Sequence, residues 1–298
     1  MRRQQAKEQL NLIDADGNIL RIGNRQSYFP ILDGSQGGEG RVGFGMPTFI
    51  FNSLPLWIDG GSILQSVRTN NRELYLPINI AKCDHVTLDD TIRELRSFLN
   101  PLKGEIMLQH IREDGDTRFF NCIYSAGIEE YKDYGNYLFV PMVFTAFDPY
   151  WNAGDASSET LTGTTPTPFL PFEFPFILAP DNVWDGITVV NNGDAPSYPT
   201  FVCTGPGTSW EFKNNTTDKA FKIDYSLGSS DQMVITFDPR RSGYLAMESA
   251  GGTSLFSYID QTMIDTWAIE TRINELEFVI NGTTGVTSMV MSYRERFL

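Results

Sequence analysis

The chain has 298 residues, with 37 Asp+Glu against 23 Lys+Arg, for a formal net charge of −14. Hydrophobic residues make up 41% and charged residues 20%, a globular composition that excludes disorder and gives about one to three domains with sizeable cores. The acid surplus repels phosphate backbones and anionic bilayers, which excludes a nucleic-acid grip and a membrane-surface role.

Three cysteines, Cys83, Cys122 and Cys203, sit in apolar strand-like settings; their odd number argues for buried thiols over a disulfide framework. The first residues carry no apolar signal segment, and no 18-residue apolar run occurs. The expectation is a soluble protein made in the cytosol.

In chain order, Asp14-Ala15-Asp16-Gly17-Asn18 predicts a tight turn between Leu12-Ile13 and Ile19-Leu20. Residues 33–45 hold six glycines, including Gly37, Gly38, Gly40 and Gly43, and read as a long loop that adapts to a neighbouring molecule. Pro47 to Ile58 is a strand-like apolar run. Residues 87–100 predict the one helix, with Thr87 as N-cap, Val86 as staple and Asp90 as capping-box partner. Leu88, Ile92, Leu95 and Leu99 form its apolar stripe, and Asn100-Pro101 ends it.

Next, Ile106–Arg112 and Arg118–Ser125 flank an Asp114-Gly115 hairpin turn. Residues 136–147 read as one strand apolar on both faces, with Tyr137, Phe139 and Val143 on one side and Leu138, Val140, Met142 and Phe144 on the other. Either a second subunit or the helix covers the odd-numbered face. Residues 152–168 are small and polar, as in a linker, and the Pro-spaced phenylalanines of 169–176 predict an extended segment. Beyond residue 181, eight short turn-bounded apolar runs predict an antiparallel sandwich or jelly roll: 187–190, 200–204, 210–214, 220–224, 232–238, 243–247, 275–280 and 286–293. The domains expected are therefore 1–151, a linker at 152–180, and 181–298.

Catalytic and cofactor motifs are weak. His85 and His110 are the two histidines, and neither neighbours a nucleophile motif. Gly38-Glu39-Gly40-Arg41-Val42-Gly43 has dinucleotide-loop spacing, but Phe44-Gly45-Met46-Pro47 cannot open the helix that such a site needs. Asp14, Asp16 and Asn18 fail as a calcium loop because Arg25 stands where a bidentate Glu belongs. No zinc-type spacing occurs. No cofactor, metal or catalytic residue is expected.

Asp59 to Trp151 resembles the distal tail protein family of long-tailed bacteriophages. The features are Gly60-Gly61-Ser62, then the strand-like Arg72-Glu73-Leu74-Tyr75-Leu76-Pro77-Ile78, then Leu95-Arg96-Ser97-Phe98-Leu99-Asn100-Pro101, and finally Phe144 to Trp151 closing on Asp148-Pro149-Tyr150-Trp151. Asn191-Asn192-Gly193-Asp194, with Pro196 and Pro199, resembles the start of the family's second domain, and Ser292-Tyr293-Arg294-Glu295-Arg296 its last strand.

The resemblance implies a mainly β protein: a sandwich-like ring-forming first domain with one helix, then a galectin-like sandwich. It also implies a structural virion protein, a homohexameric ring at the tail tip assembled in the host cytoplasm. Such a ring joins the tail tube protein to the tip hub and anchors receptor-binding proteins. Galectins bind sugar through a His-x-Asn-x-Arg pattern, and no histidine follows His110, so that sugar site is lost or replaced. The interface residues expected are Tyr137, Phe139 and Val143 with Gly37, Gly38, Gly40 and Gly43. The alternatives are a glycan-binding module or a glycan hydrolase of the virion, since paired carboxylates meet only in three dimensions.

Overall fold

A computed structural model describes residues 9–22, 41–57, 60–81, 85–112, 114–133, 137–162, 182–238, 246–248, 253–265, 267–283 and 286–298. The chain divides into two compact units, Met1–Gly154 and Asp155–Phe297.

The first unit opens with the expected hairpin. β1 (Gln9–Ile13) pairs with β2 (Ile19–Ile22), Ile13 opposite Ile19. Asp14 closes the turn. One of its carboxylate oxygens accepts from the backbone N–H groups of Asp16 (3.0 Å) and Asn18 (2.8 Å), and the other from the Asn18 side chain (2.9 Å). The Asn18 amide, with these backbone donors, holds the Asp14 carboxyl below its ordinary range. The calcium-loop look of the segment is thus a turn.

Next come β3 (Phe49–Pro55), β4 (Ser62–Thr69), β5 (Arg72–Tyr75), β6 (Ile78–Ala81), α1 (His85–Phe98), β7 (Ile106–Ile111), β8 (Thr117–Ala126), β9 (Lys132–Asp133), β10 (Tyr137–Val140), β11 (Val143–Ala146) and β12 (Trp151–Ala153). The main antiparallel sheet runs β2-β1-β7-β8-β11-β5, with β12 also paired to β8; a smaller one runs β6-β10-β9; β3 and β4 pair with each other.

The helix starts at His85, two residues upstream of the expected cap, because no Pro or Gly between Asp84 and Thr87 stops it there. Thr87 therefore lies inside the first turn. Ile92, Leu95 and Leu99 are buried while Arg93, Glu94 and Arg96 face solvent. Asn100 ends the helix by accepting from the Leu102 N–H (3.0 Å), which caps a short 3-10 turn at Pro101–Lys103.

The single strand expected over 136–147 is two strands in two sheets. Pro141 lacks the N–H a continuous ladder needs, so β10 stays in the small sheet and β11 enters the main one. Pro77 breaks β5 from β6 in the same way, and the Leu76 N–H donates to the Met142 carbonyl (2.8 Å) where the two segments cross. Both segments thus turn one corner together. Gly127 fits against it with φ of 119°, where a Cβ would run into the Pro141 carbonyl. Burial alternates on either side of the break, which buried Pro141 interrupts: Leu138, Val140, Met142, Phe144 and Ala146 are buried, while Phe139, Val143 and Thr145 are half-buried.

The second unit is a β-sandwich. Its strands are β13 (Ser157–Thr162), β14 (Asn182–Asn191), β15 (Thr200–Thr204), β16 (Ser209–Asn214), β17 (Lys219–Ile223), β18 (Gln232–Thr236), β19 (Ala246–Glu248), β20 (Ile259–Ile264), β21 (Arg272–Asn281), β22 (Ser288–Tyr293) and β23 (Arg296–Phe297). Two five-stranded antiparallel sheets run β13-β22-β15-β18-β19 and β14-β21-β16-β17-β20, and β23 belongs to neither. Alternating side chains of both meet in an aromatic core. Phe201 sits 4.8 Å from Phe212, 5.5 Å from Phe237, 5.7 Å from Phe278 and 5.8 Å from Trp267, ring centre to ring centre.

Three strands of this unit were not expected. Part of the stretch read as linker carries β12 and β13, and β20 and β23 lie outside the eight predicted runs. Both β13 and β20 are edge strands in which, among the described side chains, only Leu161 and Ile259 are buried, so their sequences look like loops. The Pro-spaced 169–176 segment lies outside the described residues.

Replacing the buried hub of the aromatic core, Phe201→Ala, is expected to lower the unfolding free energy of the second unit by about 3–5 kcal/mol. Urea unfolding followed by tryptophan fluorescence measures it.

Candidate interaction surface

β3 and β4 form a two-stranded ribbon paired to no other strand among the described residues. Register puts Phe51 opposite Val67 and Ser53 opposite Leu64 on one face, and Ile50 opposite Arg68 and Leu54 opposite Ile63 on the other. A bulge between Asn52 and Ser53, which pair with Ser66 and Leu64, leaves Gln65 over and shifts the alternation of β4. Consequently Leu64 joins Val67 on the first face while Ile63 supports the second. Phe51, Leu64 and Val67 are exposed on one side, as are Ile50, Leu54 and Ile63 on the other. At the tip the Leu56 N–H donates to the Gly61 carbonyl (3.0 Å), and Trp57 is 98% exposed. Asp59 is the one charged residue between Met46 and Val67.

An apolar ribbon open to water on both faces is at best marginally stable alone. Contiguous exposed apolar surface marks an interaction site. Covering about half of each of these side chains returns on the order of 10 kcal/mol. That is comparable with the roughly 4–15 kcal/mol that association costs.

The root of the ribbon is fixed by Arg72, which is 2% exposed. Its Nε donates to the Pro149 carbonyl (2.7 Å), and its Nη1 donates to the carbonyls of Gly43 (3.0 Å) and Gly45 (2.6 Å). The guanidinium lies over the rings of Phe120 (5.9 Å) and Trp151 (5.8 Å). Burial lowers its pKa to about 10, so it remains charged at neutral pH. Gly43 and Gly45 precede β3 and Arg72 follows β4, so one side chain holds both ends of the ribbon. The Asn70 N–H donates to the Thr48 carbonyl (2.8 Å), and the Thr69 and Tyr150 hydroxyls bond at 2.8 Å.

Of the interface residues expected from sequence, Phe139 and Val143 are half-buried, Phe139 in the small sheet and Val143 in the main one. Tyr137 pairs with Ala81 through its backbone. Gly37, Gly38 and Gly40 lie outside the described residues. Gly43 has a structural reason to be glycine: its φ is 90°, and a Cβ would run into the Glu73 carbonyl. Beside it, Val42 and Tyr75 exchange backbone hydrogen bonds at 2.9 and 3.0 Å. Of the ribbon, only β3 is expected from sequence, within the strand-like apolar run Pro47 to Ile58; β4 is not among the expected strands. The signal that could have marked it is the near absence of charge over a long apolar run in an acidic chain.

His110 packs 5.8 Å from Trp151, which itself packs 4.2 Å from Phe120. Burial pushes the Cys122 thiol up to about 12 and raises that of Cys203, so neither is a thiolate at neutral pH. Among the described residues no group of three or more His, Cys, Asp and Glu side chains is placed to hold a metal ion.

No protein-family model matches the chain, and no curated protein matches it by sequence. Solved structures do. The fold is that of the phage SPP1 Dit protein, described as a paradigm of hub adsorption apparatus in phages infecting Gram-positive hosts, with a TM-score of 0.69 and 16% identity over 97% of this chain and 99% of that one. Chains of the phage P2 baseplate in its activated conformation, with Ca and with Sr, match with TM-scores of 0.51 and 0.50. Both are 10% identical, covering 94% of this chain and 99% of theirs.

Arg72→Lys keeps the charge but cannot span three carbonyls. It is expected to cost the first unit about 2–4 kcal/mol. Chemical denaturation measures this loss, and amide exchange at Asn70 should accelerate as the ribbon root loosens.

Proposed function

We propose that this chain is a structural protein of a phage tail tip. Its first unit forms a homohexameric ring that joins the tail tube to the tip hub, and its second unit projects outward and anchors receptor-binding components. The ring assembles in the host cytoplasm and catalyses nothing. The observation that carries the reading is a fold shared along nearly the whole chain with a phage adsorption hub, in both units. Phage baseplate chains of the same fold support it. The half-buried odd-numbered side of β10 and β11 suits contact with neighbouring copies, with Phe139 and Val143 in it and the 60% exposed Phe147 at its end.

A second reading, glycan binding by the second unit, has one observation in its favour. Tyr258 and Phe256 are exposed beside Tyr225, whose ring is 4.9 Å from that of Tyr258, and Lys222 bridges Asp224 (3.2 Å) and Asp260 (3.4 Å) nearby. Aromatic faces flanked by such groups suit a sugar ring. Titration of the protein with host cell-wall polysaccharide, with and without Tyr258→Ala, decides whether this surface binds.

For the ring, electron microscopy of tail tips carrying an affinity tag on this chain is the direct experiment. The expected result is a six-fold ring of tagged protein between tube and hub. Tagged tails with no such ring, or label elsewhere in the virion, overturn the proposal. Val143→Asp is expected to leave a folded chain by circular dichroism that no longer incorporates into tails, because a buried unpaired charge costs several kcal/mol.

A further inference from the structure

We propose that the β3–β4 ribbon is an exchange arm that docks on a second copy of this chain, across the outer side of β5, β11 and β8. This rests on the ring reading and names the contact that would close it.

Both faces of the ribbon stand open to solvent in their own unit, with Phe51 65% and Leu64 56% exposed. Because both faces are apolar, one flat surface cannot cover it. A ring neighbour beneath and another molecule above can.

Charge then selects the partner. Two copies each carrying −14 repel, so they meet best where neither presents carboxylates. The ribbon has one acid, Asp59, from Met46 to Val67. The proposed acceptor is similarly neutral. Val143 lies opposite Tyr75, and Thr145 lies between Ile123 and Glu73, so Glu73 is the one charge among these five side chains. The hydroxyls of Ser125 and Thr145 bond each other at 2.7 Å, which spares the patch a desolvation cost.

Size fits as well. The twenty-one residues from Phe49 to Thr69 match the roughly 20–30 residues that each side of a specific interface contributes. Arm and acceptor are different patches of one chain, so their contact is head-to-tail, the kind that generates closed rings.

The test uses the full chain and two variants. The arm variant is Phe51→Asp with Val67→Asp; both positions are exposed, so its fold should be unchanged by circular dichroism. The acceptor variant is Val143→Asp. Sedimentation is expected to show self-association weakened at least ~100-fold in each. An equimolar mixture should give a heterodimer, since one intact arm meets one intact acceptor. Should the acceptor variant misfold, Phe51→Cys with Thr145→Cys replaces it, and oxidation should yield disulfides between chains. An arm variant that associates like the wild type overturns the arm assignment, as do cross-links confined to single chains or a wild-type chain monomeric at its highest soluble concentration. A tail-tip map with this chain in a ring but its arm seated on another protein overturns the arm alone. Absence of the chain from the tip overturns the ring reading instead.

Discussion

The Arg72 guanidinium carries its charge into a site that is nearly closed to water, and the described hydrogen bonds it makes there go to three carbonyl oxygens of two chain segments. Burying such an ion costs several kcal/mol. Charge-assisted bonds to three carbonyls and the faces of Phe120 and Trp151 offset that cost. The geometry follows from the fork of the side chain, which reaches the segment before β3 and the turn after β11 from a position just beyond β4. The ribbon projects from this knot, and Trp151, packed on Phe120, backs it. The order of motifs that carries the resemblance to phage distal tail proteins has a physical basis here. Arg72 from one end of that pattern and Pro149 from the other bond each other.

Much of the fold was legible because local chemistry decided it. Asp14 and Gly17 specify a turn that no distant contact needs to enforce, and the same holds for Asp114-Gly115, where the Asp116 N–H donates to the Asp114 side chain (3.0 Å). Strands such as 200–204 and 209–214 alternate strictly between buried and half-exposed, so their register is written in period two. What was not legible depended on position within the sheets. β13 and β20 stand at edges, where one buried residue suffices. The 136–147 run is apolar on both sides of Pro141, so its hydrophobicity concealed the change of sheet. The candidate surface was hidden by a related ambiguity. An apolar run that will face a partner reads like one that will face a core, and solvent exposure separates the two.

The units divide their work differently. The second is held by aromatic rings packed between two sheets, with ion pairs on its outer side. Lys213 meets Glu211 at 2.8 Å, and Lys222 bridges Asp224 and Asp260, contacts that raise both lysine pKa values. Exposed pairs of this kind contribute little to stability. They keep that surface hydrated and disinclined to stack on apolar neighbours. The first unit places its apolar surface outside, on the ribbon, and keeps its least solvated charge inside, on Arg72.

The scarcity of charge along the ribbon has a consequence for how its contact would respond to the surrounding medium. A contact built from Phe51, Leu54, Ile63 and their neighbours is mainly apolar, so added electrolyte has little in it to weaken. The acidic remainder of each chain repels its copies over a Debye length of about 10 Å at 0.1 M salt and about 3 Å at 1 M. Raising the salt therefore removes the force that keeps copies apart and leaves the force that joins them intact. On the docking proposed above, association through this ribbon would tighten in brine and loosen on dilution into pure water, the reverse of an interface held by salt bridges.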